Sequence, residues 1–528
     1  MINRPSTLYN RGTCKENWQQ GRYRTDLLDC DTVMRLTKSV CPECKKVIAA
    51  SIFEEGGKII MEKECFDHGN FRDVYWSDAE LYRKFERYSY SGVGVSNYQI
   101  SSSLNCPFDC GLCQYHETGT VLGNIDITNK CNLACPVCFA NANKKGFICE
   151  PSFEDIRKMM EKLREEKPIP CCAIQFSGGE PTVRDDFLEI IKLAEEMGFA
   201  HIQAASNGVK IANSPEYCKK LRDSGLHIIY LSFDGVTPEP YIANMGFNAL
   251  PVKKKAIENC RNCGPENIVL VPTLVNSVND SQVGDIIRFA SKNLDIIKGV
   301  NFQPIAFTGR VDQSEREKKR ITIPDVLKLV EEQTNGEISC EAWYPVPFVV
   351  PISRFISAMK KEPTPEFTVH HNCGAATYIF YEEERFIPIT DFIDVEGFLE
   401  FLEEITPEIN GGGNRVRTLA KVIRQIPRYI DKTKEPKSVN VVRLILDILK
   451  TGDMENAARF HRGAMFLGIM HFQDLYNIDL DRVKKCGVHY ATPDGRIVPF
   501  CTYNIFHRDS VESKFSVPYT KLQKTEQT

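Results

Sequence analysis

From residue 122 onward, short and mostly apolar runs alternate with amphipathic stretches. Gly123–Thr128, Cys172–Phe176, His201–Ser206, Ile228–Phe233, Ile268–Val275 and Gly299–Pro304 read as strands. Between them, Phe153–Glu166, Phe187–Met197, Pro215–Ser224, Lys253–Asn262 and Asp280–Asn293 repeat apolar residues at helical spacing. Strands alternating with helices predict an α/β fold with a parallel sheet. Such folds carry their working groups at the C-terminal ends of the strands. The polar candidates fall at those ends: Ser177-Gly178-Gly179-Glu180-Pro181-Thr182, Ser206-Asn207, Asp234-Gly235, Thr273 and Gln303.

The flanks have other rhythms. Residues 1–40 are polar and weakly periodic. From Cys41 the chain reads as a cysteine knuckle, a hairpin turning at Gly56-Gly57, and a return knuckle at Cys65. A hairpin this small needs a metal staple. Cys41, Cys44 and Cys65 supply three ligands, with His68, or Cys14 or Cys30, as the fourth. After residue 320, Pro324–Glu332 reads as a helix and Trp343–Ile352 as an apolar run. Residues 396–475 read as helical, broken at Gly411-Gly412-Gly413, with large apolar faces on Val441–Leu449 and Ala457–Met470. The tail forms a hairpin at Asp494-Gly495 between Cys486 and Cys501. The expected units are a rubredoxin- or zinc-ribbon-like module over 1–90, an auxiliary-cluster segment over 91–121, a barrel over 122–310 and a mostly helical domain over 311–528.

Composition narrows the class. The 528 residues are 42% hydrophobic and 26% charged with a net charge of −4, which argues a globular protein with no nucleic-acid partner. No apolar run approaches the ~20 residues of a membrane span, and the N-terminus has no signal-peptide core, so a cytoplasmic location is expected. Twenty-one cysteines in that compartment point to metal or redox chemistry rather than disulfides.

The chemistry is concentrated at Cys131, Cys135 and Cys138, spaced C-x3-C-x2-C and followed by Phe139. Three thiolates this close can hold three irons of a [4Fe–4S] cubane and leave the fourth open to a small molecule. The spacing resembles the signature of radical S-adenosylmethionine (radical SAM) enzymes. That resemblance implies a partial (β/α)6 barrel, SAM chelated at the open iron, and a 5′-deoxyadenosyl radical that takes hydrogen from an unactivated carbon. Gly178 and Gly179 then let backbone approach the methionine amino group. Glu180, Ser206, Asn207, Asp234, Thr273 and Gln303 are candidates for the amino, carboxylate and ribose groups or for substrate. A second triplet, Cys106, Cys110 and Cys113, lacks a strand before it and reads as an auxiliary metal site, with His116, Cys30 or Cys14 as candidate fourth ligand.

Longer strings narrow the resemblance further. C-P-E-C…C-F-D-H-G, C-P-F-D-C-G-L-C, N-I-D-I-T-N-K-C-N-L-A-C-P-V-C-F-A-N-A, N-C-G-A-A-T-Y at Asn372, and the tail H-Y-A-T-P-D-G-R-I-V-P-F-C-T-Y-N together resemble the archaeal tetraether lipid synthase family. That family is related to radical SAM proteins linked to methylation of methanopterin. The resemblance implies a C–C bond between terminal methyl carbons of phytanyl chains of archaeal ether phospholipids, with SAM consumed at each hydrogen abstraction. It also implies two auxiliary [4Fe–4S] clusters, one on Cys106, Cys110 and Cys113 and one on Cys373, Cys486 and Cys501, for which Cys340 is our inferred fourth ligand. A mononuclear iron (or zinc) would sit on Cys41, Cys44 and Cys65. Implied partners are the ether phospholipid and a low-potential donor, a ferredoxin or flavodoxin. One departure from the family is the stretch H-E-T-G-T-V-L-G after Cys113, which has no further cysteine.

The residues themselves fit a lipid through the apolar run Trp343–Ile352 and through Arg415, Arg417, Lys421, Arg424 and Arg428, a basic set able to meet phosphates peripherally at a membrane, or else an ordinary solvated helix face. Two other readings stand beside it: a radical SAM methylase of a pterin-type small molecule, and a multi-cluster electron-transfer protein with a lapsed active site.

Overall fold

A computed structural model describes residues 33–101, 105–437, 440–451 and 463–518. Four strands come first: β1 (Val33–Val40), β2 (Val47–Glu55), β3 (Lys58–Cys65) and β4 (Gly69–Trp76), an antiparallel sheet in that order. Gly56 and Gly57 turn β2 into β3 with φ of +58° and +74°, a conformation that costs glycine nothing. Strand β1 lies where the sequence reads as weakly periodic. Its polar residues do alternate, but they are used internally: Thr37 Oγ1 donates to Asp479 (2.7 Å), Ser39 Oγ donates to the Ile478 carbonyl (2.6 Å), and Arg35 pairs with Asp479. A buried polar face erases the hydrophobic alternation that marks a half-buried strand.

The barrel strands are β5 (Leu122–Thr128), β6 (Ala173–Gly178), β7 (His201–Ser206), β8 (Ile228–Ser232), β9 (Asn267–Val271) and β10 (Ile297–Pro304), six parallel neighbours in chain order. The helices between them bury one face each. Phe153–Arg164 starts at a Ser152/Asp155 capping box and buries Ile156, Met159, Met160 and Leu163. Each such side chain contributes about 1.5–3 kcal/mol on burial.

The C-terminal segment supplies the sheet's flanks. Strand β11 (Gly374–Glu382) pairs antiparallel with β12 (Met465–Met470), and β12 joins β10 in parallel. At the other edge, β13 (Val488–Ala491) joins β5 in parallel and turns back into β14 (Ile497–Pro499). The sheet therefore runs across the expected boundary at residue 310. Helices Val395–Asn410, Arg415–Gln425 and Val441–Thr451 form as the periodicity predicts. The helix expected over Ala457–Met470 does not hold at its end. Residues 457–462 lie outside the described residues, and Met465–Met470 is a strand. M-F-L-G-I-M has no polar residue to set a period, as befits a strand covered on both sides.

Candidate active site

The parallel strands deliver their C-terminal ends to one rim. Cys131, Cys135, Cys138 and Phe139 lie in the loop after β5, Gly178-Gly179-Glu180 ends β6, and Ser206-Asn207 ends β7. Asp234 follows β8, Thr273 follows β9, and Gln303 lies near the end of β10. All twelve line a single cavity of about 290 Å3. Phe472, Phe500, Cys501 and Asn504 of the C-terminal segment close it from the other side.

The cysteine loop is laced from outside. Asn143 Oδ1 accepts from the Cys131 N–H (3.0 Å), and its Nδ2 donates to the carbonyls of Cys131 and Leu133. Asn143 holds φ at +62°, which asparagine tolerates better than most residues. Arg310 Nε donates to the Cys135 carbonyl (2.7 Å), and its backbone exchanges hydrogen bonds with Cys138. Neither Asn143 nor Arg310 is a sequence candidate; Arg310 reaches the loop from beyond β10. Burial first, then Glu180 and the neighbouring thiols, pushes the Cys131 thiol up to about 12. Thiolates gather in such a place only beside a cation such as iron.

The glycines serve the protein before any ligand. A Cβ on Gly178 would sit 2.1 Å from the Thr128 carbonyl oxygen, and one on Gly179 would sit 2.1 Å from that of Lys130. Gly179 N–H and Glu180 N–H donate to those same two carbonyls at 2.8 Å, so the loop lies flush against the cysteine loop. The Glu180 carboxylate also turns inward. It accepts from Thr182 Oγ1 (2.6 Å), Thr182 N–H (3.2 Å), Ser206 Oγ (2.8 Å) and Asn207 N–H (2.7 Å). Asp234 is buried and accepts from the Thr273 N–H (3.0 Å). Burial raises its pKa to about 6, against the pull of that N–H, Lys253 and Asn244.

Below the rim the barrel interior is amide-rich. Gln175 Nε2 donates to Asn124 Oδ1 (2.7 Å), Gln203 Nε2 donates to Gln175 Oε1 (2.6 Å), and Asn301 donates to the Tyr230 hydroxyl. Gln175 and Tyr230 reach the cavity. Asn124 Nδ2 is buried without a protein partner. The three half-exposed thiols, the flush glycine loop and the buried polar floor suit a cluster-bound polar cofactor.

The other cysteines fall into three groups. Cys41 Sγ and Cys65 Sγ lie 3.7 and 3.5 Å from His68 Nδ1, and Cys44 Sγ lies 3.8 Å from Cys65 Sγ. A tetrahedral ion with bonds of ~2.3 Å to sulfur and ~2.1 Å to nitrogen has edges of about 3.8 and 3.6 Å, so these four atoms fit one ion. Cys106 and Cys110 are hydrogen-bonded, and Cys110 packs in one cluster with Phe500 and Cys501. Cys373, Cys486 and Cys501 act on one another electrostatically around the buried Arg482, whose Nε donates to Cys373 Sγ (3.2 Å). Cys340 stands apart from them, beside Glu331 and Lys328. His116 Nε2 is occupied by the Cys486 carbonyl (2.8 Å) and His489 (2.9 Å). Cys14 and Cys30 lie outside the described residues.

A parallel barrel with a three-cysteine loop on its rim and a glycine loop against it defines a radical SAM enzyme. Residues 125–290 match the Radical SAM superfamily, and residues 33–77 match the HMPTM N-terminal zinc ribbon domain. The chain is 53% identical over 488 residues to the 7,8-dihydro-6-hydroxymethylpterin dimethyltransferase of Methanocaldococcus jannaschii, a match covering 91% of this chain and 96% of that one. It belongs to that enzyme's family. A probable GTP 3′,8-cyclase of Methanothermobacter marburgensis is 29% identical over 174 residues, 33% of this chain and 55% of the relative. Streptococcus suis SuiB, solved with S-adenosylmethionine bound, overlaps 42% of this chain and 48% of its own at 18% identity and a TM-score of 0.33.

The pterin enzyme overturns the tetraether lipid synthase resemblance. Lipid C–C coupling, a part in tetraether-lipid biosynthesis and the archaeal ether phospholipid partner fall with it. The strings that carried the resemblance encode cysteine sites and tight loops, a chassis that serves many substrates. Trp343–Ile352 does border an apolar pocket of about 340 Å3, but that pocket shares no lining residue with the cysteine-lined cavity. Of the basic set, Lys421 pairs with Glu408 and Arg415 donates to the Met359 carbonyl. Among the described residues, no helix is long and apolar enough to cross a membrane.

Proposed function

We propose that this chain is a radical SAM methyltransferase acting on a dihydropterin, 7,8-dihydro-6-hydroxymethylpterin being the substrate. The observation that carries the reading is the near-full-length identity to an enzyme named for that reaction. The cavity supports it: a small polar heterocycle matches amide and hydroxyl groups such as Gln175, Tyr230 and Gln303 facing an aromatic wall that includes Phe472 and Phe500.

In this reading Cys131, Cys135 and Cys138 hold the SAM cluster. Gly178-Gly179, Ser206 and Asn207 meet SAM's amino acid and ribose, while Glu180 braces that loop from behind. When bound, cluster and SAM together supply an electron and a carbon-centred radical. The protein's part is orientation and exclusion of water. Asp234, titrating near 6, can hold or release a proton at the cavity wall. Cys106, Cys110 and Cys113, and Cys373, Cys486 and Cys501, are proposed auxiliary iron–sulfur sites, and Cys41, Cys44, Cys65 and His68 a zinc or iron site.

The test is whether substrate drives SAM cleavage. Reconstituted anaerobic enzyme with dithionite and SAM is expected to release 5′-deoxyadenosine or S-adenosylhomocysteine several-fold faster on addition of the dihydropterin. A rate indifferent to the pterin would reject the substrate. No SAM cleavage at all after reduction would favour the electron-transfer reading.

A further inference from the structure

Helix Leu250–Cys263 carries a lysine with no place on a surface. Lys253 is fully buried, and its Nζ donates to the Asn207 carbonyl (2.7 Å) and to Ser232 Oγ (3.0 Å), the ends of β7 and β8. Among the described residues no carboxylate lies within 4 Å of it. A buried ammonium without a carboxylate counter-ion in contact is expensive, so its charge requires an account.

Asn207 supplies one. Its N–H donates to Glu180 Oε2 (2.7 Å), its carbonyl accepts from Lys253, and its Oδ1 accepts from Val209 N–H (3.0 Å). Its Nδ2 donates to Asn132 Oδ1 (2.7 Å) and points at Cys131 Sγ (3.8 Å). Lys253 is therefore one residue removed from a cluster thiol and stands under the wall of the cavity. Burial lowers the Lys253 pKa to about 8, against the pull of Asp234, Glu180, Cys135 and Cys131, which favour the ammonium form. Three thiolates on an oxidised cubane carry a net negative charge that grows when the cluster takes an electron.

We infer that Lys253 is a positioning residue of the SAM cluster: it fixes Asn207 against the Cys131 thiolate, and its buried charge offsets the electron that the cluster accepts. The inference rests on the radical SAM assignment and is independent of which substrate follows.

Three variants of the full chain, reconstituted anaerobically, separate the two roles. Lys253→Gln keeps a donor and loses the charge, Lys253→Met loses both, and Lys253→Arg keeps the charge. The readouts are the SAM dissociation constant of the oxidised enzyme and the midpoint potential of the SAM-sensitive EPR component. Lys253→Gln is expected to shift that potential more negative, Lys253→Met to do so and also weaken SAM by about tenfold or more, and Lys253→Arg to restore the potential. If Lys253→Met does not fold, Lys253→Gln decides. Wild-type affinity and potential in the neutral variants, or loss of thermal stability with both unchanged, would overturn the inference.

Discussion

At the scale of single residues, the site is built by close approach. Gly179 has no room for a Cβ because the Lys130 carbonyl oxygen would lie 2.1 Å away. Gly179→Ala is therefore expected to push the glycine loop off the cysteine loop and weaken SAM binding by roughly tenfold, about 1.4 kcal/mol, as equilibrium dialysis would show. Glu180→Gln should also be costly: it sets an amide N–H against groups that already donate, at about 1–3 kcal/mol for a buried mismatch. A thermal melt of the reconstituted protein reads that loss, and an unchanged melt would contradict the bracing role. The cysteine triplet and glycine loop were legible because local spacing alone specifies them. Asn143, Lys253 and Arg310 were not: each reaches the site by tertiary folding, and an isolated Asn, Lys or Arg in a sequence has many ordinary uses. The bracing contacts of Glu180 were not legible for a similar reason, since only the fold brings Thr182, Ser206 and Asn207 to its carboxylate.

At the scale of elements, the zinc ribbon is a wedge against the active-site roof. Asp479 accepts from Arg35, Thr37 and the Tyr75 hydroxyl (2.9 Å), and its own N–H donates to Gln473 Oε1 (2.7 Å). Gln473 lines the cavity and donates its N–H to Cys501 Sγ (3.3 Å). Burial alone would raise the Asp479 pKa; Arg35 and the hydroxyl donors outweigh it and hold the carboxyl below its ordinary value. A lowered folded pKa contributes stability that is complete above the unfolded value of ~3.9 and is lost as pH falls below it. Acid unfolding followed by far-UV circular dichroism should thus begin near pH 4 and be shallower in Asp479→Asn. Removing the ribbon ion with a chelator, or by Cys65→Ser, should loosen β1 and raise hydrogen exchange in 473–482; unchanged exchange there would refute the coupling. The barrel strands were legible from their period. Strands β1 and β12 were not, since one hides polar residues and the other has none.

At the scale of the whole molecule, the C-terminal segment completes what the barrel begins. It pairs with the first barrel strand at one edge and the last at the other, and Cys501 faces the same cavity as Cys131, Cys135 and Cys138. The fold, and the rim residues that come together in one cavity, could be read from the chain, while the substrate could not. Cluster ligands recur at fixed spacing. Cavity-lining groups such as Gln175, Tyr230 and Gln473 come from three distant stretches and form no motif. The apolar helices that suggested a lipid pack around a separate pocket and a core of their own.

The most direct measurement is the mass of the pterin after turnover. Reconstituted enzyme, SAM, dithionite and 7,8-dihydro-6-hydroxymethylpterin are incubated without oxygen, and the products are separated and weighed. The expected result is a pterin carrying added methyl groups, lost when Cys131, Cys135 or Cys138 is replaced by alanine. A pterin of unchanged mass, recovered intact while SAM is consumed, would contradict the proposed function.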